Sequence, residues 1–181
     1  MRQCRGITTI ELMVALAVLM VLALVAAPAF GNLLERQRLV GTTNELLSTL
    51  HLVRSEAIKR NQRVTLCPSS DGTTCRDDGD WSQGWIWFAD PDANGQRQPQ
   101  DPLLGHAPLG VEYVAISGNT PVHDYVSYVA RGTTQRTSGA LQMGSFTVCA
   151  GTQGRRVIVS SIGRPRSEPT ECTAPEPGDA D

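Results

Sequence analysis

Between Asp124 and Glu168 the chain holds no acidic residue, yet Arg131, Arg136, Arg155, Arg156, Arg164 and Arg166 all fall in that window, six of its sixteen basic residues. Arginine rather than lysine points to phosphate, because a planar guanidinium donates two hydrogen bonds to one oxyanion. Arg164 and Arg166 flank Pro165, whose ring fixes φ and favours an extended segment, so both guanidiniums can be held outward with little ordering cost. The chemistry expected is contact with a nucleic-acid backbone, largely indifferent to sequence, weak for one chain and steeply dependent on salt. Arg155, Arg156 and Arg136 are supporting candidates. The competing reading is a solvated face or subunit contact that balances the acids of 71–101 and of the C-terminal tail.

Three other constellations carry less. Asp90-Pro-Asp-Ala-Asn-Gly95, with Asp101 in the twelfth place, has the outline of a calcium loop with Asp90, Asp92, Asn94 and Asp101 as ligands. Its last acid is Asp rather than the longer Glu, a strand precedes it, and the same residues build ordinary hairpin turns. A turn is the expectation, with no cofactor. His51, His106 and His123 lie on a helix and in two loops, and no serine or cysteine sits in a nucleophile setting, so no catalysis is expected. Trp81, Trp85 and Trp87 could stack on bases, but Trp85 and Trp87 at i, i+2 share one strand face, which favours core packing.

Four cysteines beyond residue 30, Cys67, Cys75, Cys149 and Cys172, form an even set suited to an extracytoplasmic domain. Three pairings are open. Cys67 with Cys75 and Cys149 with Cys172 is favoured, because each bond is local and closes a polar loop. Zinc is the rival, but the Cys-x7-Cys and Cys-x22-Cys spacings lack a short knuckle.

These residues need a scaffold, and the chain supplies one long element first. Leu12 to Phe30 is nineteen residues without a charge; a helix of about twenty apolar residues spans a bilayer core of ~30 Å. Basic residues before it hold that end in the cytoplasm. Leu39, Thr43, Leu46, Leu47, Leu50, Val53, Ala57 and Ile58 then recur at three and four residues, an amphipathic helix with one apolar face. Pro28 bends the axis and Asn61 is the expected stop. The reading is one helix of about fifty residues, roughly 80 Å long. Strands are expected at Arg63–Cys67, Trp85–Ala89, Val111–Ile116, Tyr125–Ala130, Gly144–Cys149 and Arg156–Ile162. Strands that follow a helix without βαβ alternation give an α+β fold with antiparallel pairing. The tail beyond Cys172 is read as loose.

The opening residues resemble the type IV prepilin signature: a short basic leader ending at Gly6, Ile7 at the cut, an apolar run that starts at once, and Glu11 five residues past the glycine. That resemblance implies a dedicated prepilin peptidase that cleaves after Gly6 and methylates Ile7, where most members have Phe. It implies that Glu11 pairs with the free amine of a neighbouring subunit. Loss of the leader would leave 175 of 181 residues and take the net charge from −2 to −4.

Arg54-Ser-Glu-Ala-Ile-Lys-Arg-Asn, the strand into Cys67, Gly84-Trp-Ile-Trp-Phe-Ala-Asp90 and Val157 to Arg166 are similar to the GspH/FimT family of minor pilins and pseudopilins. The resemblance covers nearly the whole mature chain. It implies the type IV pilin fold, a single-pass inner-membrane anchor with a periplasmic head in a Gram-negative envelope, and a pilus after assembly with other pilins. Gly163-Arg-Pro-Arg166 matches the Gly-Arg-x-Arg element that FimT-type members are proposed to use on DNA in natural transformation. The alternatives are priming or capping of pilus assembly, or a pseudopilin role in type II secretion. The expected organisation is leader 1–6, membrane or filament-core helix 7–30, amphipathic helix 31–62, β head 63–172 and acidic tail 173–181.

Overall fold

The computed structural model describes residues 9–108 and 113–172, without the side chains of residues 25–29 and 32. Gly6, Ile7, the tail 173–181 and the first residues of the strand expected at 111–116 lie outside this set. One helix, α1, runs from Thr9 to Arg60, about 78 Å at 1.5 Å per residue, and passes through Pro28 without ending. Leu39, Thr43, Leu46, Leu50, Val53 and Ala57 are its buried stripe, while Leu47 is half-buried. Ile58 was expected on that stripe and is instead 50% exposed, one position round the helix from fully buried Ala57, with its side chain near Gly132 of the loop after Tyr128.

The stop is a hydrogen-bonded cap. Asn61 takes φ of 52°, its N–H donates to Ile58 O at 3.2 Å, and Gln62 N–H donates to Ala57 O at 3.3 Å. These two bonds satisfy carbonyls that the helix end would otherwise leave unpaired.

Two four-stranded antiparallel sheets follow. The first holds β1 (Val64–Pro68), β2 (Gly84–Ala89), β3 (Leu103–Pro108) and β5 (Val126–Tyr128) in the order β3-β2-β1-β5. The second holds β4 (Ala115–Gly118), β6 (Gly144–Ala150), β7 (Gln153–Val159) and β8 (Pro165–Glu171) in the order β4-β6-β7-β8. α1 packs on β1 and β5 of one sheet and on β6, β7 and β8 of the other. This is the long helix on an antiparallel β head expected of a type IV pilin. Two strands escape a reading by pattern. β3 contains a glycine and ends in a proline, and β8 carries two prolines, which an edge position tolerates because one row of its N–H groups has no ladder partner. β7 also stops at Val159, so Ser160 to Ile162, expected in the strand, form the turn into β8.

The main core joins the helix stripe to Trp81, Trp85, Tyr128, Phe146, Val148, Val157 and Val159. Trp81 is fully buried, donates its indole N–H to His123 O at 2.9 Å and meets Phe146 edge-on at 4.9 Å. Half-buried Trp87 covers Gly105, where a Cβ would sit 2.2 Å from its ring. All three tryptophans pack within the head, so base stacking on them is set aside. A smaller cluster of Cys67, Ile86 and Phe88, backed by Cys75, Leu103 and Tyr125, fills the other side of the first sheet.

Disulfides join Cys67 to Cys75 and Cys149 to Cys172, which leaves none of these four sulfurs as a thiolate for zinc. The second bond ties the end of β6 to the end of β8 across a separation of 23 residues. Closing a loop of that size stabilises by about 3 kcal/mol in the chain-entropy account. The Cys149→Ser/Cys172→Ser variant is therefore expected to melt on the order of 10 °C lower, and further below wild type than Cys67→Ser/Cys75→Ser, whose loop spans 8 residues. Thermal melts under oxidising conditions check the order.

The uncharged run lies in α1 with Leu12, Met13, Val14, Leu16, Val18, Leu19 and Leu24 exposed. Over the described residues, no helix is long and apolar enough to cross a membrane; in sequence the apolar run continues through residues 25–29. Glu11 stands in the first turn of α1, where the positive end of the helix dipole favours a carboxylate.

Candidate nucleic-acid interface

The arginine turn connects β7 to β8, and its backbone is fixed from within. Gly163 takes φ of 77° and its N–H donates to Ser160 O at 2.8 Å. The Ser160 hydroxyl accepts from Arg164 N–H at 3.2 Å and donates to Arg164 O at 3.0 Å. Gly163 is also a packing requirement: a Cβ there would lie 2.0 Å from Gly132 O and 3.1 Å from the Tyr128 ring. Pro165 is buried, and Arg164 and Arg166 on either side of it are exposed. The alternation anticipated around the proline is thus present, anchored by the proline itself.

Register sorts the remaining arginines. Arg166 stands opposite Ile158, and Arg156 stands opposite Glu168 and Thr147, so Arg156 and Arg166 share the outer face of the second sheet. Arg155 belongs to the other face, with Val157 and Val159. It lines a cleft of about 410 Å³ with Arg36, Leu39 and Val40 of α1 and donates to Ser167 Oγ at 3.4 Å. Adjacent residues in a strand point to opposite faces, so Arg155 and Arg156 are not one patch, and Arg155 is removed from the outer cluster.

Arg156 Nη1 lies 3.8 Å from Glu168 Oε1 with both side chains nearly half exposed. A pair in that setting is worth about 0–1 kcal/mol, but it places an acid beside the cluster. Glu168 marks the end of the acid-free window in sequence, and antiparallel pairing folds it back onto Arg156. A shallow open depression of about 490 Å³, lined by Met143, Ser145, Arg156, Ile158, Ser160 and Ser161, runs alongside.

Arg136 is half-buried on the loop after β5. Its N–H donates to Ala140 O at 2.8 Å and its carbonyl accepts from Gly139 N–H at 3.0 Å. The same loop brings in exposed Arg131, which strand and motif reasoning left outside the site. Its Nε–H donates to Thr133 Oγ1 at 3.1 Å. Proximity of its loop to Gly163 is a tertiary fact with no local signal.

The acidic loops hold themselves. Asp90 is fully buried; its carboxylate accepts from Thr65 Oγ1 at 2.7 Å, Asn94 N–H at 3.1 Å and Gly95 N–H at 3.2 Å. Burial pushes its pKa up from the ordinary value. Asp92 accepts from Asn94 Nδ2 and Gln98 Nε2, Asn94 Oδ1 accepts from Gln96 N–H, and Asp101 accepts from Gln98 N–H. These oxygens cap turns, and no group of three His, Cys, Asp or Glu among the described residues could hold a metal. The three histidines stand apart: His51 in α1, His106 in β3 opposite Ile86 rather than in the loop expected for it, and His123 in a loop with Nδ1 2.5 Å from Asp124 Oδ1.

Inside the Cys67–Cys75 loop, Asp71 accepts from Thr74 Oγ1 at 2.6 Å and from Thr73 and Thr74 N–H at 2.7 Å each. The bonds from Thr74, then Thr73, hold its carboxyl well below the usual range. A depressed folded-state pKa contributes stability that is present above about pH 4 and is lost as pH falls toward the folded value. Asp71→Ala is expected to melt lower than wild type at pH 6 and to converge with it as the pH is taken well below 4, in melts recorded across that range.

The family model described as type II transport protein GspH matches residues 42–163, ending one residue before Arg164, and a prokaryotic N-terminal methylation motif matches residues 1–27. Among solved structures, the type IV minor pilin FimU of Pseudomonas aeruginosa is similar in two crystal forms. One has a TM-score of 0.59 at 23% identity, covering 77% of this chain and 96% of that one. The other has 0.56 at 20%, covering 75% and 98%. The minor pseudopilin EpsH of the type 2 secretion system of Vibrio cholerae aligns at 0.49 and 13%, over 73% and 97%. No curated protein matches the chain in sequence. With more than half its length matched by one family model, the chain belongs to the GspH family.

Proposed function

We propose that this chain is a minor type IV pilin that enters a filament through α1 and holds extracellular DNA by its backbone phosphates, for uptake in natural transformation. The observation that carries the reading is the pair Arg164 and Arg166: exposed, without an acidic partner among the described residues, with Arg164 on a turn whose backbone Ser160 and Gly163 fix and Arg166 two residues on in β8, paired with Ile158. A preorganised pair of guanidiniums loses little freedom on meeting phosphate. Arg156 supports them from the same face, and Arg136 from a neighbouring loop.

Entry into the polymer follows from the other end. Residues 7–30 form the segment held first in the inner membrane and then among neighbouring helices, which would cover the apolar side chains exposed on α1. A prepilin peptidase cleaves between Gly6 and Ile7, and Glu11 sets register in the filament. The head lies in the periplasm before assembly and outside the cell afterwards.

The test is a titration of a duplex of arbitrary sequence with the full-length chain in neutral detergent, at several salt concentrations. Loss of affinity in Arg164→Ala/Arg166→Ala supports the site, and binding indistinguishable from wild type rejects it. The GspH match favours a second reading, a pseudopilin whose cargo is protein. Deletion separates the two: lost transformation with secretion intact supports the first, and lost exoprotein with transformation intact supports the second.

A further inference from the structure

We infer that Arg131 is a phosphate-binding residue of the same site, carried on a second turn that the fold locks against the Arg164 turn; this rests on the DNA-binding reading. The turn after β5 closes on itself, with Gly132 N–H donating to Val129 O at 2.7 Å and Val129 N–H to Thr133 O at 3.0 Å. Gly132 has φ of 77°, and a Cβ on it would meet Ile58 Cδ1 at 2.8 Å and Arg54 Nε at 3.1 Å. The turn is therefore seated on the last turns of α1. From that seat the Gly132 carbonyl occupies the space that a side chain on Gly163 would need, 2.0 Å from its Cβ position.

Hydrogen bonds finish the lock. Thr134 N–H donates to Ser161 O at 3.2 Å, and Thr134 Oγ1 lies 2.5 Å from Gln142 O and 3.0 Å from Ser160 O. Residues 129–134 and 160–164 are thus hydrogen-bonded and packed together, and each presents an exposed arginine one residue from the glycine–glycine contact: Arg131 before Gly132, Arg164 after Gly163. Arg131 has no acidic partner among the described residues. Its one hydrogen bond there, from Nε to Thr133 Oγ1, steadies the guanidinium and leaves both Nη groups to donate. Arg156 differs, because Glu168 shares its charge. A ligand with phosphates repeating along a chain suits arginines on two adjoining turns better than a single anion does.

The experiment titrates a random-sequence 30-base-pair duplex with full-length protein in neutral detergent across a salt series, following fluorescence anisotropy. Arg131→Ala is expected to weaken Kd severalfold and to reduce the slope of log K against log salt by about 0.9, one phosphate's worth. Arg131→Lys should keep the wild-type slope, and Arg36→Ala, in the cleft on the other face, should change neither quantity. If Arg131→Ala matches wild type while Arg164→Ala/Arg166→Ala loses affinity and slope, the inference is overturned and the DNA-binding reading stands. A lost affinity with an unchanged slope also overturns it, since that marks a residue that only holds the loop. If neither variant changes binding, the reading itself fails, and the inference with it.

Discussion

Alanine at Gly163 is expected to lower the melting temperature by on the order of 10 °C and to weaken DNA binding although every arginine remains in place. Two effects add. A non-glycine residue at φ of 77° costs about 1–2 kcal/mol. The Cβ must then find room 2.0 Å from Gly132 O, and that carbonyl is part of a backbone already wedged against Ile58 and Arg54, so it cannot recede cheaply. The Arg164 turn has to lift instead, breaking the Thr134 to Ser161 bond. Together these are worth about 3 kcal/mol, several degrees each in a domain of this size. Gly139→Ala is the control. Gly139 has φ of 85° with nothing within 4 Å of its Cβ position, so it carries the backbone strain alone. Melting of Gly163→Ala within a degree or two of Gly139→Ala would show that the contact between the turns contributes nothing.

That glycine also marks how far the sequence could be read. The helix was legible because its period repeats over many turns, and Asn61 ends it by a mechanism that depends only on neighbouring residues. β1, β2 and β6 were legible from apolar and aromatic content. β3 and β8 were not, because glycine and proline in an edge strand carry the same letters as a loop, and only the neighbouring strand decides between them. The candidate site was legible as a composition, arginines without acids, but composition has no faces. The period of two separates Arg155 from Arg156 in any strand, yet which of them turns outward is set by Val157 and Val159 meeting the helix. Glu168 opposite Arg156 and Arg131 beside Gly163 are products of pairing across 12 and 32 residues, where no local pattern reaches. Gly163, read as a motif letter, is in addition the point where two turns touch.

Salt dependence gives the other large expected effect, and its sign can separate contact from bulk charge. Arg164→Ala/Arg166→Ala should lose more than tenfold in affinity at low salt and reduce the slope of log K against log salt by about 1.8, two phosphates at roughly 0.9 each. Glu168→Gln should act in the opposite direction. It removes the acid 3.8 Å from Arg156, frees that guanidinium for phosphate, and should raise both affinity and slope, the slope by up to about 0.9. Net charge alone predicts the same gain from neutralising any exposed acid. Asp77 provides that comparison, since it is exposed in the loop between β1 and β2, and that loop reaches the second sheet at β4 through the Asp80–Ser117 bridge, the edge opposite β8. Between surface charges separated by more than a Debye length, ~10 Å at 0.1 M salt, the interaction is largely screened. Asp77→Asn should therefore leave the slope at its wild-type value. Equal gains from Glu168→Gln and Asp77→Asn would mean that DNA senses the whole molecule's charge. A gain from Glu168→Gln alone would place the phosphate beside Arg156, on the outer face that Arg166 shares.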